Sequence, residues 1–63
     1  MTVLFESASA ANRCLAELKR LHSARTWGDI HVRPLGERAE MELRASLWST
    51  CRATIESFGG RRI

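Results

Sequence analysis

The chain has 63 residues, a formal charge of +3, 44% hydrophobic residues and two cysteines. That length allows one domain, 1–63, and excludes a multidomain enzyme. No apolar run approaches the ~20 residues that span a bilayer, and no run of five like charges marks a nucleic-acid tail. A chain this short buries only about 60% of its unfolded surface, so a subunit or a target is the expected source of extra stability. Two cysteines make no disulfide framework. The start, Met1-Thr2-Val3-Leu4-Phe5-Glu6, lacks the basic segment of a secretory signal. The expectation is a soluble protein in the reducing cytoplasm with both thiols free.

Thr2-Val3-Leu4-Phe5 is β-favouring and apolar and predicts a short strand. Ser7 and Ser9 are candidate N-caps for a helix over 8–24. Along it Ala11, Cys14, Leu15, Leu18, Leu21 and His22 recur at three- and four-residue steps, with Arg13, Ala16, Glu17 and Arg20 opposite. The segment Arg25-Thr26-Trp27-Gly28-Asp29 breaks this pattern, and Trp27 is expected to lid the core. Ile30-His31-Val32-Arg33-Pro34 alternates apolar and polar, which predicts a second strand with His31 and Arg33 facing solvent. Pro34 ends it or sits on an edge.

Leu35-Gly36 is read as the turn into a second helix over 37–58. Glu37, Glu40 and Glu42 would suit the positive end of its dipole, and Leu43, Leu47, Trp48, Cys51, Ile55 and Phe58 would form its stripe. Gly59-Gly60 stops this helix, and the basic end, 59–63, is expected to fray. The predicted fold class is therefore α+β: two short strands and two helices in β-α-β-α order, with a helix-helix core.

Chemistry-bearing residues are few. Cys14 or Cys51 could be drawn beside His22 or His31 as a nucleophile and base, but both thiols lie in apolar stripes, where a buried cysteine is inert. The same four residues have no ligand-pair spacing for zinc. Gly59-Gly60 precedes no helix that could cradle a phosphate. No catalytic residue, cofactor or metal is predicted, and the chain is expected not to be an enzyme.

Two binding functions remain. The first is a protein-binding module, a regulator, adaptor or inhibitor of a larger assembly, a role typical of very small phage or mobile-element products. Arg44 falls inside the stripe predicted for the second helix, with Glu40 one turn earlier, and Arg and Trp are frequent interface anchors. Arg44, Trp48, Glu40, His31 and Arg33 are thus the expected contact residues. The edge of the second strand is a further docking possibility. The alternative is a dimeric nucleic-acid-binding regulator using Arg13, Lys19, Arg20, Arg61 and Arg62. It is weakened by Glu17, which lies within pairing distance of Arg13 and Arg20 along the helix.

Overall fold

The computed structural model describes all residues from Met1 to Ile63. Strand β1 (Thr2–Phe5) alternates Val3 and Phe5 into the core with Thr2 and Leu4 on the other side. Ser7 then caps helix α1 (Ala8–Leu21), its side-chain oxygen accepting from the Ala10 amide at 3.1 Å. That bond satisfies one of the amides that a helix start leaves without an internal partner. Ala11, Cys14 and Leu18 form the buried face of α1.

The predicted first helix is divided. It ends at Leu21, and residues 24–27 make a separate single turn, α2 (Ala24–Trp27). His22 interrupts it by taking an extended conformation. Trp27 packs against the core as expected, and the Lys19 ammonium lies 5.0 Å from the centre of its ring. That contact is a cation–π interaction.

The main correction concerns residues 37–44. They begin no helix. Strand β2 (His31–Leu35) turns through Gly36 and Glu37 into strand β3 (Arg38–Glu42). Gly36 adopts φ +60°, and no non-glycine residue has positive φ, so the two-residue loop takes its left-handed residue first, as a type II′ turn does. Helix α3 (Ala45–Ser57) starts only after Arg44, which occupies the N-cap with an extended backbone and no side-chain capping bond. Glu37, Glu40 and Glu42 therefore belong to the hairpin, and Arg44 lies outside the helical stripe.

The end of α3 follows the sequence closely. Gly59 takes φ +85°, the Gly60 amide donates to the Ile55 carbonyl at 2.9 Å, and the Gly59 amide donates to Glu56 at 3.0 Å. These are the paired bonds of a Schellman cap. The chain then pairs with β1 as strand β4 (Arg61–Arg62), so the expected fraying is replaced by a strand.

The four strands lie in the order β2-β3-β1-β4, each antiparallel to its neighbour. It follows that β1 runs parallel to β2 with β3 between them, and β3 runs parallel to β4 with β1 between them. These are two interleaved split β-α-β units, the ferredoxin-like β-α-β-β-α-β arrangement, with α2 as an added turn. The fold class is α+β, with two strands more than the predicted order. The expected packing of α1 on α3 is present, through Cys14, Leu18, Cys51 and Ile55, and the sheet adds Val3, Phe5, Ala39 and Met41 to the same core. No helix is long and apolar enough to cross a membrane.

Candidate functional site

Strand alternation sorts the sheet residues between two faces. Val3, Phe5, Ala39 and Met41 point at the helices and are buried. The residues between them point the other way, onto a face that no helix covers.

The register lays that open face out in rows across the strands. One row runs Ile63, Thr2, Glu42, His31: the pairings Thr2–Glu42 and Glu42–His31 are direct, and the Ile63 amide donates to the Thr2 carbonyl at 3.0 Å. The next row runs Arg61, Leu4, Glu40, Arg33. A third begins with Glu6, just past the end of β1, and continues through Arg38 to Leu35.

Charge organises these rows. Arg33 donates to Glu40 at 2.9 Å, across the hairpin, with the guanidinium 73% exposed and the carboxylate 17% exposed. Glu42 accepts from the amino group of Met1 at 2.8 Å and from the Thr2 hydroxyl at 2.7 Å. Those bonds hold its carboxyl below the ordinary value of 4.5. Two residues beyond the His31–Glu42 pair, Arg44 meets Asp29 at 3.3 Å. His31, Arg33, Glu40 and Glu42 together line a shallow hollow of about 370 Å³ on this face.

Four of the five residues predicted for partner contact thus gather on one hairpin and its ends. His31, Arg33 and Glu40 share the open face, and Arg44 extends the same run of ion pairs. The predicted Glu40–Arg44 helical pair does not form, because residues 37–44 are not helical: Glu40 pairs with Arg33 across the hairpin, and Arg44 with Asp29 just beyond its ends. Trp48 is separate: it is half-buried and packs against the core from α3. Leu4 and Glu42 were not predicted to belong to the site. The signal for Glu42 was its spacing from Arg38 and Glu40, every second residue, with Ala39 and Met41 between.

The basic residues of the alternative reading are dispersed. Arg13, Lys19 and Arg20 lie on α1, whereas Arg61 lies on the sheet face turned away from it. Arg20 is held by Glu17 in two hydrogen bonds of 2.9 and 2.6 Å, which raise its pKa and lower that of Glu17. Lys19 is engaged with Trp27, and Arg61 approaches Glu6 at 3.8 Å.

Both thiols are sealed in the core. Burial pushes Cys14 up to about 11, with the neighbouring Cys51 adding to the effect, and burial raises Cys51 as well. A thiolate nucleophile is therefore suppressed at neutral pH. No group of three metal-ligating side chains converges anywhere in the chain. Set against protein-family models, curated proteins and solved structures, the chain matches none of them.

Proposed function

We propose that this chain is a protein-binding module, acting as a regulator, adaptor or inhibitor of a larger protein, and that it docks through the open face of its sheet. The observation that carries this reading is the ladder of charge on the β2–β3 hairpin, where Arg33–Glu40 and Arg44–Asp29 surround His31 and Glu42. Paired charges on a rigid sheet select a partner by complementarity and steer its approach. The topology itself serves many unrelated functions, so the charged face, and not the fold, supports this reading. The Lys19, Arg20 and Arg61 contacts leave the nucleic-acid alternative weaker support.

A photo-crosslinking residue placed at position 33 tests the proposal against the same residue placed at position 13 on α1. Capture of a discrete cellular protein from position 33, reduced by Arg44→Ala and absent from position 13, is the expected result. Equal capture from both positions, or capture lost on nuclease treatment, would remove it.

A further inference from the structure

The sheet ends at β2 on one side and at β4 on the other. The outward backbone groups of an edge strand are a template for an incoming strand. In the β2–β3 hairpin the two-residue loop makes Leu35–Arg38 a hydrogen-bonded pair, and alternation places Arg33–Glu40 and His31–Glu42 in the same class. The backbone groups of Val32 and Pro34 accordingly point away from β3, to the outside. Pro34 has no amide hydrogen to offer there. Just before the strand, the Ile30 amide is turned back and donates to the Trp27 carbonyl at 3.0 Å. The outer edge from Ile30 to Pro34 therefore presents a single donor, the Val32 amide.

The β4 edge is curtailed differently. The Ile63 amide donates to the Thr2 carbonyl at 3.0 Å, and alternation turns the Arg61 amide toward β1 as well. The Gly60 amide is taken by the Ile55 carbonyl at 2.9 Å. On this side only the Arg62 amide faces outward.

We infer that both edges of the sheet are closed to a further strand, and that Pro34 is the residue that closes the longer one. Two antiparallel copies of β2 centred on Arg33 show the effect. Val32 then faces Pro34 of the copy on either side of the centre, and half of the ladder's hydrogen bonds need an amide at position 34. The same register sets Arg33 against its own image, and like charges directly opposite are destabilising. A foreign strand meets the same missing donor however it is aligned. The edge of β2, a docking possibility on sequence alone, is thus not the docking surface. This closure goes beyond the docking reading and narrows it: a partner is held by side chains on the open face, not by strand addition.

Pro34 is exposed, so replacing it leaves the core untouched. The test uses an Arg33→Thr background, which removes the facing like charges. Sedimentation equilibrium from about 1 μM to about 1 mM should find the wild type and Arg33→Thr monomeric. Arg33→Thr/Pro34→Val and Arg33→Thr/Pro34→Ala both restore the amide, with a large and a small side chain. Each should associate reversibly at a concentration at least about tenfold below any at which Arg33→Thr does, because every added hydrogen bond strengthens the ladder. Circular dichroism confirms that each variant is folded. Amide exchange in the associated variants should show protection at positions 32 and 34, whereas the Val32 amide of the wild type should exchange freely at every concentration.

Folded double variants as monomeric as Arg33→Thr overturn the inference. So does association by Pro34→Val without Pro34→Ala, which would come from the side chain, or association that leaves positions 32 and 34 unprotected. A wild-type chain that associates with its Val32 amide protected overturns it as well. Closed edges together with no capture from position 33 would uphold this inference and remove the docking reading alone.

Discussion

Arg33 and Glu40 stand directly opposite each other on β2 and β3 and close an ion pair of 2.9 Å on the uncovered side of the sheet. Opposite charges in register on an antiparallel pair favour that register over a slipped one. The pair consequently has two roles to separate, one in hairpin alignment and one in recognition.

A double-mutant cycle in urea over Arg33→Ala and Glu40→Ala should give a coupling of about 0.2–1 kcal/mol, the range for exposed pairs. Capture through position 44 should fall far more than that stability change accounts for. A coupling of several kcal/mol, with capture unaltered, would assign the pair to the scaffold.

Arg44 occupies the N-cap of α3 without a side-chain capping bond. Serine there can accept from the first-turn amides, so Arg44→Ser should raise the stability by about 0.5–1 kcal/mol. The same change removes the Asp29 contact and should weaken docking. Thermal melting and crosslinking yield should thus move in opposite directions. Parallel losses would show that the Asp29 pair outweighs the cap.

Gly60 is buried, and a Cβ on it would come within 2.6 Å of Ile55 Cγ2 and 2.7 Å of Phe5 Cζ. Gly60→Ala must displace two core side chains and should cost about 1–3 kcal/mol. Gly36→Ala meets no atom within 4 Å and is opposed only by its φ of +60°. It should cost about 1 kcal/mol. Chemical denaturation of both variants checks the order.

The Glu42 carboxyl is lowered first by its bond from the Met1 amino group and then by that from Thr2. A carboxylate lowered in the folded state contributes stability that is complete above its unfolded value, here 4.5, and is lost as pH falls through the folded one. Melting temperature should decline on acidification below that point, and Glu42→Gln should decline less. An unchanged acid profile in the variant would show that the two bonds do not persist in solution.

Cys14 behaves in the opposite sense. Its folded value of about 11 lies above the ordinary 9.0, so its contribution is complete below pH 9.0 and disappears as pH rises toward 11. A thiol reagent at neutral pH should label neither cysteine rapidly in the native chain, and both on denaturation. Rapid native labelling would reopen the catalytic reading set aside for Cys14 and Cys51.

The local elements were legible in the sequence. α1 carries its own apolar repeat and its own serine cap, and β2 its own alternation, which put His31 and Arg33 on the solvent side. Residues 37–44 were misread because Ala, Glu and Met favour helices, and Leu43 is correctly spaced from Leu47 to begin a stripe. The competing signal was also there: Ala39, Met41 and Leu43 alternate with Arg38, Glu40 and Glu42 behind a Gly-led two-residue turn. What decided between them was β1, a partner far away in sequence whose pairing overrides local propensity. Glu40 was therefore named for the site through the wrong neighbour, and Leu4 was missed. β4 has only two arginines and no strand signal of its own, so only the tertiary pairing defines it.

β1 precedes the other three strands in chain order and occupies an inner position in the sheet, with β3 on one side and β4 on the other. Each of its ladders joins residues distant along the chain, and β4 comes from the opposite terminus. Such pairings exact their loop-closure entropy before any contact rewards them. During synthesis, then, α1 and the β2–β3 hairpin can form early, β1 can join once β3 is made, and only the fourth strand waits for Arg61 and Arg62 to emerge.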